Sequence, residues 1–306
     1  MKKVIERPSR ARTVLITIVA IFFVIFVIIP LSLLAFDGEQ VGNVAVIPIE
    51  GVITGDGESY LGQGTVSSQT ITEFIAQAEL DPQIKIIVLE INSPGGSAVA
   101  SDEVASAVKK VEKPVVALIR EVGASGGYWI ASAADHIIAN RMSITGSIGV
   151  ISSYLEFSGL MERYGIGYER LVAGKYKDVG TPYQKLQDAE RNLLQQKMDL
   201  VHEYFIEEVA ANRKLSVEAV RKFATGEFFL GVEAQKLGLV DELGNRETVE
   251  TYLQEKYALE SVDYVTYEQS AGLFDIFSSV ISSFSFKIGQ GIGSIFLQKE
   301  NPLMVV

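Results

Sequence analysis

The stretch Pro114-Val-Val-Ala-Leu-Ile-Arg-Glu-Val-Gly-Ala-Ser-Gly-Gly127 opens on an apolar run and closes on a glycine-rich turn. A β-branched run bounded by turn residues reads as a buried strand over Pro114–Ile119. The same pattern stands upstream, where Ile84–Ile91 is almost continuously apolar and stops at Asn92-Ser-Pro-Gly-Gly96. Between the two, Val104, Ala107, Val108 and Val111 share one face of a helix predicted over Ser101–Val111. Working outward, Val44–Ile53 is predicted as a strand or hairpin broken at Gly51, and Thr70, Ile71, Phe74, Ile75 and Ala78 fit a helix. Tyr128–Ala134 is predicted helical, His136–Ala139 a short strand, and Gly146–Ser152 a turn into a further strand. Leu194, Met198, Val201, Phe205 and Val209 step by 4, 3, 4 and 4, which predicts a long amphipathic helix over Asp188–Lys214. Strands with no polar face, alternating with helices, imply an α/β fold with a mostly parallel sheet.

Composition removes several classes of function. The chain has 306 residues and no cysteine, so disulfides, thiolate catalysis and Cys-ligated metal sites are excluded. Its two histidines, His136 and His202, cannot build a multi-histidine metal site. Lys2, Lys3, Arg7, Arg10 and Arg12 concentrate positive charge at the N-terminus, while the whole chain carries −11. So acidic a remainder argues against nucleic acid as a partner. Val14–Phe36 follows the basic tail without a single charge. As a helix it would be roughly 34 Å long, enough for a bilayer core. Ser32-Leu-Leu-Ala35 is a poor match to a cleavage site, so the expectation is an uncleaved anchor. The charge asymmetry expects residues 1–13 in the cytoplasm and everything after Asp37 outside.

Both glycine turns stand at the carboxyl ends of predicted strands, where α/β proteins place their sites. Ser93-Pro-Gly-Gly96 can offer the N–H of Gly95 or Gly96 to an oxyanion. Gly123-Ala-Ser-Gly-Gly127 has the Gly-x-Ser-x-Gly form of a nucleophile elbow, which puts Ser125 at a helix N-terminus. The plain alternative is two strand-to-helix turns with a serine N-cap. A nucleophilic serine needs a base, and His136, His202, Lys175 and Lys177 are available. In a triad of α/β-hydrolase order the histidine comes last, which favours His202 over His136. Bringing a buried lysine from about 10.4 to about 7 costs on the order of 4.6 kcal/mol, within the reach of desolvation. These arguments leave the choice between Lys175 and Lys177 open.

Five ordered motifs carry a resemblance. They are Asn-Ser-Pro-Gly-Gly at 92–96, Ala-Ser-Gly-Gly-Tyr-Trp at 124–129, Thr-Gly-Ser-Ile-Gly-Val at 145–150, Gly-Lys-Tyr-Lys-Asp at 174–178 and Gly-Val-Glu-Ala-Gln-Lys-Leu-Gly-Leu-Val-Asp at 231–241. Together they resemble the signal peptide peptidase A family of membrane-anchored serine proteases, in its short form with one copy of the domain. The resemblance implies a ClpP/crotonase-like fold of repeated β-β-α units, preceded by one N-terminal transmembrane helix. It places the nucleophile on Ser125, the general base on Lys177, and the oxyanion donors on the N–H groups of Gly96 and Gly126. Ser147 matches a serine that orients the catalytic lysine; Lys175 and the two histidines match no catalytic position. It further implies no metal or other cofactor, short hydrophobic peptides and released signal peptides as substrates, and a homo-oligomer. The region after Tyr267 matches no motif of the family.

The expected organisation is a cytoplasmic tail over 1–13, an anchor over 14–36, a peptidase domain over 37–270 and an amphipathic segment over 271–306. In the last, Leu273, Phe277, Val280, Phe284, Ile288, Ile292 and Ile295 fall on one helical face. Such a face suits a neighbouring subunit or a membrane surface. Two other classes share features with this chain. An acyl-CoA hydratase or hydrolase of the crotonase group would be soluble and would need neither Ser125 nor Lys177. A membrane-anchored binding protein on the same fold would not need the serine and lysine together. The stomatin-associated membrane proteases also use a serine and a lysine. Gly238-Leu-Val-Asp241 and the 52-residue gap from Ser125 to Lys177 favour the peptidase over that group.

Overall fold

Residues 10–28, 42–58 and 64–268 are described by the computed structural model. The chain divides into two units: Met1–Gln40 with Gln269–Val306, and Val41–Glu268. In the first unit, α1 (Arg10–Phe23) runs on into five π-helical residues, Val24–Ile28. No helix among the described residues is long and apolar enough to cross a membrane. Residues 29–36 of the expected anchor lie outside the described residues, as do residues 1–9 and the expected amphipathic segment at 271–306.

The second unit is built on an eight-stranded sheet of β1 (Val44–Glu50), β4 (Ile86–Ser93), β5 (Val115–Ala124), β6 (His136–Ala139), β7 (Ile144–Gly146), β8 (Phe228–Leu230), β9 (Glu242–Leu243) and β10 (Tyr264–Thr266). The order is β10-β1-β4-β5-β6-β9, with β7 joining β5 and β8 joining β7. All pairings are parallel except β7 with β8. This is the parallel-rich α/β architecture that the uninterrupted apolar runs demand. The helices of the unit are α2 (Ser68–Leu80), α3 (Ala98–Val108), α4 (Gly126–Ser132), α5 (Ser158–Arg163), α6 (Asp188–Arg213), α7 (Val217–Phe223), α8 (Gly231–Lys236) and α9 (Arg246–Tyr257).

Side chains of successive strand residues point to opposite faces. Ala45, Ile47 and Ile49 with Ile87, Leu89 and Ile91 therefore build one core with α2, α3, α4 and α6. Val44 and Val46 with Ile86, Val88, Val116 and Leu118 build the other, against Val249 and Leu253 of α9.

Three departures from the sequence reading bear on the site. β5 does not stop at Ile119 but continues through solvent-facing Arg120 and Glu121 to Ala124. Its register against β4 slips there: Ile91 faces Ile119, yet Ser93 faces Gly123. One residue of β4 is thus matched to three of β5, a bulge that increases twist and re-aims the strand end. The strand expected after Gly146 is absent, since β7 ends on that glycine and residues 147–157 are irregular. Finally, the Gly51 break does not make a hairpin. Val52–Thr54 (β2) leaves the main sheet to pair in parallel with Thr65–Ser67 (β3).

Candidate active site

The site grows from the end of β5. Past the bulge, β5 exchanges β6 for β7 as its neighbour, pairing Val122–Ala124 with Ile144–Gly146. Ser125 follows at once as the N-cap of α4, with φ 51° and ψ −124°. A non-glycine residue in that region stores on the order of 1–3 kcal/mol of strain, and such strain collects at functional turns. Two main-chain bonds hold it: the Ser125 N–H donates to the Gly146 carbonyl (2.8 Å), and the Trp129 N–H donates to the Ser125 carbonyl (2.9 Å). The Ser125 hydroxyl caps nothing, although its position is that of an N-cap. The hydroxyl of a half-buried serine is thereby left for chemistry.

The Asn92–Gly96 turn lies directly against Ser125. A Cβ on Gly95 would stand 2.6 Å from the Gly126 nitrogen and 2.8 Å from the Ser125 Cβ, at a backbone φ of +99°. A Cβ on Gly126 would meet the Ser101 Oγ at 2.2 Å and the Gly96 nitrogen at 3.3 Å. Glycine at both positions is what lets the two turns nest. Among the described residues neither the Gly96 N–H nor the Gly126 N–H has an acceptor. Two unused donors near a half-buried hydroxyl at a helix N-terminus are an arrangement that can receive negative charge.

Side chains that the sequence reading quoted but gave no role fix this arrangement. The Ser93 hydroxyl donates to the Gly51 carbonyl (2.6 Å) and accepts from the Gly95 N–H (3.1 Å). The Thr145 hydroxyl donates to the Gly123 carbonyl (2.9 Å), and both Ser93 and Thr145 are buried. Their signal was a hydroxyl residue inside an otherwise apolar or glycine-rich motif. Behind them α4 is clamped by Trp129 stacked on Phe205 of α6 (4.6 Å) and by the Tyr128 hydroxyl donating to the Leu239 carbonyl (2.8 Å). Burial pushes the Tyr128 hydroxyl far above its ordinary range, so it stays a donor.

Ser147 is brought to the same place, being adjacent to the carbonyl that receives the Ser125 N–H. It too has a positive φ, 51°, and its hydroxyl donates to the Gly226 carbonyl (3.2 Å). Lys177 is not brought into contact: among the described residues no hydrogen bond joins its ammonium to Ser125 or Ser147. It sits in a chain of turns, its N–H donating to the Gly174 carbonyl (3.2 Å), on an arm of residues 151–187 that contains no buried residue. That arm is tied chiefly to itself. The Phe157 N–H donates to the Pro182 carbonyl (2.7 Å), Tyr168 packs on Tyr183, and Arg170 pairs with Asp178. Arg170 holds the Asp178 carboxyl below the usual carboxylate range, through hydrogen bonding first. Lys175 lies over the Tyr176 ring (4.8 Å).

Neither histidine touches Ser125. His136 stacks on Tyr252 (3.9 Å, 7°) between Asp241 and Glu242, and a ring nitrogen of His202 lies 3.2 Å from the Ile148 carbonyl. Among the described residues no group of His, Asp or Glu could hold a metal ion.

Comparison with known proteins agrees with this geometry. Residues 107–260 match the model of Peptidase family S49, a stretch that holds Ser125, Ser147 and Lys177. The chain is 32% identical to the putative protease MJ0651 of Methanocaldococcus jannaschii, over 87% of this chain and 85% of the relative. It is 31% identical to the putative signal peptide peptidase SppA of Enterococcus faecium, over 76% of this chain and 69% of that one. It is also 31% identical to the chloroplastic serine protease SPPA of Arabidopsis thaliana, over 72% of this chain and 34% of that longer protein. A strained serine at a strand-to-helix turn, flanked by unused main-chain donors, is thus found in a chain that belongs to peptidase family S49, the signal peptide peptidase A family, and is a serine peptidase.

Proposed function

We propose that the chain is a membrane-anchored endopeptidase that cleaves short hydrophobic peptides, released signal peptides among them, with Ser125 and Lys177 as its catalytic dyad. The observation that carries the reading is the Ser125 turn, whose hydroxyl and neighbouring N–H groups are committed to nothing else. Lys177, as a neutral amine, takes the Ser125 proton while the Oγ attacks the peptide carbonyl. The N–H groups of Gly96 and Gly126 receive the oxyanion. The lysine then protonates the departing amine, and water attacks the acyl-enzyme by the same route in reverse. Ser147 orients the lysine amine without adding a charge.

Membrane anchoring rests on the uncharged run at 14–36 and the basic residues before it. It leaves residues 1–13 in the cytoplasm and the peptidase domain outside. A homo-oligomer is supported by the arm: Ile151 is 87% exposed, Leu155 71% and Leu171 97%, far more apolar surface than a solvated loop carries. Covering that arm with a second copy would also remove water from around Lys177, which favours the neutral amine that the mechanism needs. The test is labelling of the full-length detergent-solubilised protein with a fluorophosphonate, followed by peptide mapping. The adduct is expected on Ser125; an adduct on another serine, or none on active enzyme, would overturn the assignment.

A further inference from the structure

Arg170 and Asp178 form a two-point fork on an arm that is otherwise open to water. The guanidinium Nε donates to one carboxylate oxygen of Asp178, and a terminal nitrogen donates to the other at 2.5 Å. The Asp178 side chain is only 15% exposed, while residues 171–177 are all exposed. The fork therefore joins the two ends of the loop 170–178. Inside it, Gly174 turns at φ +103° and accepts from the Lys177 N–H, and the Asp178 carbonyl accepts from Thr181 (3.0 Å). Lys177 is thus the last residue before the closure. Two parallel charge-assisted bonds fix both direction and distance, which a single bond does not.

We infer that Arg170 is a positioning residue for the general base, because its fork with Asp178 both closes the Lys177 loop and occupies the carboxylate next to Lys177. The inference rests on the reading of Lys177 as the base. The chemistry supplies its reason. Released from the fork, the carboxylate next in sequence to the lysine is free to pair with the ammonium, and such a pair would hold the proton that a general base must lose. The charged and titratable groups that act on Arg170 are Asp178, Glu190 and Tyr168, and Asp178 is faced by Arg170 alone; Glu169, Lys175, Tyr176 and Lys177 are the other such residues of the segment. None of them supplies Asp178 with a second cation in two-point contact.

The experiment measures kcat and KM from pH 6 to pH 10 on a hydrophobic fluorogenic peptide. It uses the full chain as wild type, Arg170→Gln, Arg170→Lys, Arg170→Gln with Asp178→Asn, and Lys177→Ala. In Arg170→Gln the freed carboxylate stabilises the ammonium. The acid limb of kcat should then move up by about one pH unit, with kcat near pH 7 lowered roughly 10- to 100-fold and KM little changed. Adding Asp178→Asn removes that carboxylate and should return the limb to its wild-type place. Activity at high pH should stay reduced in both, since the loop is no longer closed. Arg170→Lys, with charge but no fork, should fall between. A wild-type profile in Arg170→Gln overturns the inference. So does a loss of kcat at all pH values alike that Asp178→Asn leaves unmoved, because that is what general unfolding of the arm would give. Lys177→Ala separates the two readings. If it keeps activity, the base assignment falls by itself; if it is dead while Arg170→Gln is normal, only the role of Arg170 falls.

Discussion

Replacing Gly95 by alanine tests the nesting of the two turns without replacing any residue of the proposed dyad or oxyanion donors. Ordinary contact begins near 3.4 Å, and the added methyl would stand 2.6 Å from the Gly126 nitrogen, 2.8 Å from the Ser125 Cβ and 3.0 Å from the Ala124 carbonyl oxygen. The turns must then part by roughly 0.8 Å, because a close-packed interior has no slack to absorb the overlap. Two costs follow. Alanine at φ +99° is strained by about 1–3 kcal/mol, and overpacking adds a comparable amount. The catalytic cost is larger in its effect. A shift approaching 1 Å in a catalytic group is worth about 100-fold in rate, and loss of one oxyanion donor about 100- to 1,000-fold. We expect kcat to fall at least about 100-fold in Gly95→Ala, with a lowered melting temperature but a cooperative transition. The assay is peptide hydrolysis beside thermal unfolding, with fluorophosphonate titration to count competent sites. Gly159→Ala is the control, since that glycine is helical, has nothing within 4 Å of a Cβ and should lose nothing. Wild-type kcat in a folded Gly95→Ala protein would refute the claim that the Asn92–Gly96 turn shapes the site.

Two further predictions concern the dyad and the orientation. Ser125→Ala and Lys177→Ala should each lower hydrolysis by several orders of magnitude, and the double variant should be no worse than either, as for groups acting in one unit. Lys175→Ala should keep most activity, and an essential Lys175 beside a dispensable Lys177 would reverse the choice of base. Protease added outside intact cells should digest the domain after Asp37 and spare residues 1–13; protection of the domain would invert the orientation read from the charges.

The strands that were legible in the sequence are those buried on both faces, because an apolar run needs no periodicity to be seen. His136–Ala139 is found as read, and the α2 stripe and the long α6 lie where their spacing put them, whereas α3 runs three residues earlier than expected, over Ala98–Val108, and leaves Val111 beyond its end. What escaped was set by partners rather than by composition. The second half of β5 carries Arg120 and Glu121, which face water, and it is a strand only because β7 and Ser93 pair with it. The run after Gly146 looks like a strand, but Ile151 lies exposed at the base of an arm that pairs with no strand among the described residues. The α6 stripe divides for the same reason: Phe205 and Val209 are buried against α4, while Leu194 and Met198 remain half-covered. Of the candidate site, residue order marked the two glycine turns and Ser125, and the family motifs gave them their expected roles. The hydroxyls of Ser93 and Thr145 could not be marked in this way, since their acceptors, the carbonyls of Gly51 and Gly123, are 42 and 22 residues away.

The slip between β4 and β5 makes length, rather than identity, the guarded property of residues 120–122. Three residues of β5 are spent where β4 spends one, and the surplus of two leaves the up-and-down alternation of side chains in phase. Arg120 and Glu121 lie exposed, Arg120 donating to Glu90 across the sheet (2.7 Å), so their side chains do not build the turn itself. Losing or gaining one residue there would instead turn everything downstream by half a pleat. Ser125 would then be carried away from Gly96 while every motif remained intact on paper. A chain that preserved all five motifs and differed by one residue in this bulge would look like a peptidase and have no oxyanion cradle.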